Sequence, residues 1–275
     1  MYLGIAQRKS RVVGNLRGGN KSVAIHDDLG TRMKEYYESV PRIKLVRRMP
    51  VAIRIDGKAF HTFTRGFQKP FDMALVKAMQ GTMKYLCENV QGCVFGYTQS
   101  DEITLILVDY QTLTTSAWFD YEVQKLCSIS ASMATIAFDK IFIDKAVSET
   151  VAFDDVIRTR VMASLKGAMF DSRCFNIPKE EVTNLIYWRQ LDAQRNSIQM
   201  VGQSKFSHKQ LQNKSCNDIK QMLMDEYQIN WDDYPIELKR GSACVKTDDG
   251  WKIDHEMPML KGDGREYLDH LVFIE

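Results

Sequence analysis

An aspartate that closes an apolar, β-branched run and is followed by glycine, Asp56-Gly57, can offer a carboxylate and nearby backbone to a cation. A second acidic spot, Ser100-Asp101-Glu102, lies between two further β-rich runs. Each alone is weak, because Asp-Gly turns and acidic hairpin tips are ordinary solvated surface. As a pair they carry more. Two carboxylates at adjacent strand ends are what a two-Mg²⁺ centre for nucleotidyl or phosphoryl transfer needs, since hard cations take oxygen ligands and the ions sit ~4 Å apart. Lys58, His61 and Lys69 follow Asp56 closely enough to meet a triphosphate, and Phe60 could lie against a base. The plain alternative is two solvated lysines, a structural histidine and a core phenylalanine.

The elements that must position these groups are legible in outline. Residues 51–55 are β-branched and end at Asp56-Gly57, which predicts a first strand. Apolar residues at helical spacing predict a helix over 72–89 and another over 118–138. Residues 93–98 and 103–108 read as a hairpin, and a fourth strand is expected near 168–175. Strand, helix, strand, strand, helix, strand is the split βαβ, or ferredoxin-like, order: an α+β fold with an antiparallel sheet and helices on one face. In that order the first strand lies beside the hairpin, so Asp56 and Asp101 can meet at one edge of the sheet. Beyond Pro178 the chain turns polar and helical, over 179–200 and again from 216 or 217 to 227, before a hairpin-like segment over 242–253. The expected organisation is a basic, flexible arm over 1–26, a catalytic domain over 27–178, and an appended, mostly helical lobe over 179–275 that does not fold independently.

The 275 residues are 44% hydrophobic, 26% charged and 10% aromatic, a globular composition that excludes disordered, collagen-like and low-complexity classes. The apolar runs are too short for a bilayer-spanning stretch of ~20 residues, and the first residues lack a signal-peptide pattern, so no membrane partner and a cytoplasmic location are expected. Six cysteines, widely spaced and without a CxxC pair, read as free buried thiols. The net charge of +2 hides an asymmetry: residues 1–50 carry eleven Lys or Arg against four Asp or Glu. That basic front fits either a phosphate-contacting tail for nucleic acid or a solvated terminus.

Five ordered segments go further: RIDGKAFHTFTRGFQKPFD, YTQSDEITLIL, FDSRCFNIP, YWRQLDAQRNSI and ELKRGSACV, with DDLGTRMKEYY ahead of them. Their succession resembles the tRNA-His guanylyltransferase superfamily, the 3′-to-5′ RNA polymerases, from about residue 27 to 246. The resemblance implies a polymerase-palm-like fold and two Mg²⁺ ions held by Asp56, Asp101 and the backbone carbonyl of Gly57. It adds Glu102 and Ser100 to the site, and it places Gly57, Lys58, Ala59, Phe60 and His61 in a nucleotide-binding turn, with Lys69 near a triphosphate. Ala59 stands where the family commonly has Asn. The implied reaction activates the 5′-monophosphate of a tRNA with ATP, after which the 3′-hydroxyl of an incoming GTP or other NTP displaces AMP. The implied assembly is a homo-oligomer, by resemblance a tetramer. Eukaryotic members carry His-Ile-Asn-Asn after WRQ, whereas here Ala193, Gln194 and Arg195 interrupt that pattern and Asn196 remains. The chain is therefore more similar to the Thg-like branch outside eukaryotes, where repair of truncated tRNA 5′ ends stands beside G−1 addition to tRNA-His. Trp188, Arg189 and Gln190 could be structural, with Arg189 pairing inside the lobe. Two other readings remain at this level: a nucleotidyl cyclase on the same sheet, and a non-catalytic RNA-binding module.

Overall fold

The computed structural model describes residues 27–148 and 155–274. The basic arm expected over 1–26 lies outside them. Contacts divide the chain between Pro41 and Arg42. On the N-terminal side is one short helix, α1 (Asp28–Met33), whose N-cap Asp27 accepts a hydrogen bond from the Gly30 amide, followed by a wider turn over Lys34–Glu38.

The other unit is organised on strand β1 (Val51–Gly57). Its side chains alternate: Val51, Ile53 and Ile55 pack into one core, Ala52 into another. After a single helical turn, α2 (Phe60–Phe63), comes α3 (Met73–Asn89), begun by Asp72, whose carboxylate accepts from the Leu75 amide. Strands β2 (Cys93–Gln99) and β3 (Glu102–Leu107) follow, joined by Ser100 and Asp101 alone. Helices α4 (Val123–Ser148) and α5 (Asp155–Lys166) lead to β4 (Phe170–Asn176). The strands lie in the order β4-β1-β3-β2, all antiparallel, the expected split βαβ arrangement.

The C-terminal segment contributes α6 (Lys179–Gln203), α7 (His208–Leu211), α8 (Cys216–Tyr227), α9 (Ile236–Arg240), the hairpin β5 (Ser242–Thr247) and β6 (Gly250–Asp254), and α10 (Glu266–Val272). β5 pairs with β2, so the sheet grows to six strands. Helices α3 and α4 cover one face, as the split βαβ order predicts. The other face is covered by the C-terminal segment: Val182 and Ile186 of α6 and Leu268 and Val272 of α10 close over Ala52, Phe95 and Ile106.

Two readings from composition need correction. Within α4, the stretch Val123–Ala146 is long and apolar enough to cross a membrane, which single runs of apolar residues did not reveal. It serves as a core helix, with Leu126, Ala134, Phe138 and Phe142 buried against the sheet side. All six cysteines are unbridged, but only Cys87 and Cys244 are fully buried.

Candidate active site

Asp56 and Glu102 face each other as register partners of β1 and β3, and the Gly57 amide donates to the Asp101 carbonyl at 3.0 Å. The two acidic spots, far apart in sequence, thus meet at one end of the sheet. Gly57 is required by the space: a Cβ there would fall 2.3 Å from the ring of Phe60. Ala59 and Ser100 both sit in the left-handed region, with φ of 54° and 50°, so the two turns that frame the carboxylates are strained. Asn tolerates that conformation better than Ala, which gives a backbone reason for the family's usual residue at position 59.

The electrostatics favour a cation. Burial comes first and the fields of Asp101, Glu102 and Asp171 second in pushing the Asp56 carboxyl above the usual carboxylate range, with Arg173 acting the other way. Burial also raises Asp101, though the Ser100 hydroxyl, donating to its Oδ1 at 3.0 Å, holds it back. Among the described residues no group of three or more His, Cys, Asp or Glu side chains is arranged to hold a metal. Two carboxylates and a carbonyl nevertheless suit magnesium, which is usually bound by one or two carboxylates together with substrate phosphates.

Next to this pair is a cavity of about 470 Å³ lined by Gly57, Ala59, His61, Lys69, Ser100 and Asp101, among others. Two expected residues are not placed as predicted. Phe60 borders the cavity, but its ring is 5% exposed and packs on Phe63, Phe138 and Phe170, so it belongs to the core and cannot stack on a base. Lys58 lines a different cavity, on the α5 side.

Glu102 has another environment again. Its Oε2 accepts from Arg54 at 2.6 Å and its Oε1 from Arg189 of α6 at 2.8 Å. Arg189 also pairs with Asp192 at 2.8 Å, and the ring of Trp188 lies 4.5 Å from its guanidinium carbon. Arg189 does pair inside the lobe, but it also ties α6 to the hairpin. Reasoning from sequence missed Arg54, although a cation within the apolar run VAIRI is a signal that a buried partner exists. It also missed Asp171, the register partner of Asp56 on β4, for which an exposed-looking Asp gave no signal. Asp72 is a third: it caps α3 and pairs at 3.0 Å with Arg160, and both are buried.

A palm sheet with paired, desolvated carboxylates at a strand-end hairpin, beside a cavity bordered by Lys69, defines a nucleotidyltransferase. Residues 30–178 match the family model described as tRNAHis guanylyltransferase. A bacterial tRNA(His) guanylyltransferase (Thg1)-like protein in complex with ATP superposes with a TM-score of 0.78 at 43% identity, covering 89% of this chain and 99% of its own. A bacterial Thg1-like protein in complex with GTP gives a TM-score of 0.70 at 38% identity, covering 89% and 99%. The tRNA(His) guanylyltransferase of Saccharomyces cerevisiae is 26% identical over 211 residues, 71% of this chain and 82% of its own. The chain belongs to the tRNAHis guanylyltransferase family.

Proposed function

We propose that the protein is a Mg²⁺-dependent 3′-to-5′ nucleotidyltransferase that adds nucleotides to tRNA 5′ ends, as G−1 on tRNA-His, as repair of truncated ends, or both. The observation that carries this reading is the meeting of Asp56 and Asp101, both with carboxyls raised by burial, beside a cavity that holds Lys69 and His61. Similarity to bacterial proteins solved with ATP and with GTP supports both nucleotides as substrates.

Asp56, Asp101 and the Gly57 carbonyl would hold the magnesium. When bound, it would neutralise phosphate charge and acidify the attacking hydroxyl. Lys69 and His61 flank the cavity where a triphosphate would lie, and Lys69 supplies a cation to its oxygens. Gly57 lets the backbone approach that group closely. Glu102 positions: held by Arg54 and Arg189, it fixes the residue after Asp101.

The test offers 5′-monophosphorylated tRNA-His and a 5′-truncated non-His tRNA, with ATP and each NTP in turn, with and without Mg²⁺. Extension of tRNA-His by G alone marks a dedicated enzyme; extension of the truncated tRNA marks repair. Formation of a cyclic product from GTP without RNA, or no Mg²⁺-dependent extension of either tRNA, overturns the proposal.

A further inference from the structure

A second cavity, of about 690 Å³, lies beyond the Lys58-Ala59 turn and is bounded by one face of α5. The α5 residues along it, Asp155, Arg158, Thr159, Met162, Ala163 and Lys166, recur at helical spacing, so the cavity is built by a continuous face rather than by scattered side chains. The opposite side of α5 is anchored. Ile157 and Arg160 are buried, and Arg160 pairs with Asp72 at 3.0 Å. Thr159 sits under Gly66, where an added Cβ would come within 3.2 Å of it.

Four cations line this cavity, Lys58, Arg65, Arg158 and Lys166, against one carboxylate, Asp155. Among the described residues no ion pair or hydrogen bond engages the side chains of those four, while the cations elsewhere near the palm are committed: Arg47 to Asp109, Arg54 and Arg189 to Glu102, Arg160 to Asp72. Unpaired cations gathered around a concave surface create a positive potential that draws polyanions. Between them the floor is apolar, with Met162 and Met169 more than half exposed. Phosphates on the cations and a sugar or base face on the floor is the pattern of single-strand nucleic-acid contact. Ala59 lines both cavities, so this surface continues directly from the reacting centre.

We infer that the α5 cavity binds the phosphodiester backbone of the RNA strand whose 5′ end is extended, gripping nucleotides next to the end while the terminus reaches Asp56 and Asp101. The absence of a paired-carboxylate site among its lining residues argues against a second nucleoside triphosphate there. This assignment rests on the reading of the protein as a tRNA-extending enzyme.

The experiment uses the full chain and the double variant Arg158→Gln/Lys166→Gln, both residues being exposed and unpaired. Affinity for 5′-monophosphorylated tRNA is measured by fluorescence anisotropy over a salt series, affinity for ATP by calorimetry, and KM for tRNA by extension. The expected result is tRNA binding weaker by roughly tenfold, with the slope of log K against log salt reduced by about 1 per cation removed. KM for tRNA rises alike and ATP affinity stays the same. Unchanged tRNA affinity and slope in a variant of a wild type that does extend tRNA overturns the cavity assignment and leaves the enzymatic reading intact. Loss of ATP affinity in place of tRNA affinity overturns it in favour of a nucleotide site. A wild type that neither binds nor extends tRNA sinks both.

Discussion

Asp101 and Glu102 are adjacent in sequence and opposite in circumstance. Asp101, in the turn beside Asp56, has burial and the charge of Glu102 raising its carboxyl, with the Ser100 hydroxyl and a backbone hydrogen bond holding it back. Glu102, more buried still, is held by two arginines from two different elements. Among the described residues one carboxylate has no ion pair and the other has two. The tip of the hairpin is therefore strained and desolvated, and the step behind it is built for rigidity. A site of this kind stores its instability where the substrate will remove it and spends its strong interactions one residue away.

The sharpest way to break this contrast is to remove charge on each side of it. Asp101→Ala or Asp56→Asn should lower nucleotide addition at least about a thousandfold, the several kcal/mol that metal-assisted charge stabilisation supplies. Either variant should melt in metal-free buffer no lower than the wild type; a variant that keeps full extension would show the pair to be dispensable. Glu102→Ala should do the reverse, costing about 3 kcal/mol in urea denaturation, because the part-buried Arg54 loses its partner and the buried Arg189 is left with Asp192 alone. Adding Arg189→Met to it should recover part of that loss, and strictly additive effects would show that the two do not interact.

The third prediction concerns pH. Raised folded-state values for Asp56 and Asp101 mean that their contribution to stability is full below the ordinary carboxylate range and is lost as pH rises through the raised values. In metal-free buffer the melting temperature of Asp56→Asn should therefore match the wild type at low pH and pull ahead of it toward neutrality. A constant gap, or one that closes, would mean that burial does not disfavour the charged form. The smallest effect is expected at Ala59, whose φ of 54° favours glycine: Ala59→Gly should stabilise by about 1 kcal/mol, read from the same urea curves.

Much of this contrast was legible beforehand, and the parts that were not share a cause. The palm strands and helix α3 follow from period and turn residues, and the approach of Asp56 to Asp101 follows from their order. Strand β1 runs to Gly57 rather than stopping at residue 55, which puts Asp56 in the ladder opposite Glu102. Helix α5 was not anticipated, and its buried Arg160 shows why: the inward face carries a charge whose partner, Asp72, is distant in sequence. The pairing of β5 on β2 was invisible for the same reason, since alternation identifies a strand but not its neighbour. Phe60 stayed open between a base contact and the core, because an aromatic beside a nucleotide turn and an aromatic in a core have the same one-residue signature; the structure packs it in the core.

The bond from Arg189 to Glu102 has a further meaning for how such an enzyme can diversify. The stretch that departs from the eukaryotic pattern, Ala193 to Arg195, rides on the same helix within two turns of that arginine, and Arg195 shares Asp192 with it at 2.7 Å. Any replacement that rotates or slides the helix would pull through Arg189 on the hairpin that carries Asp101, so this stretch and the acidic turn are mechanically leashed together.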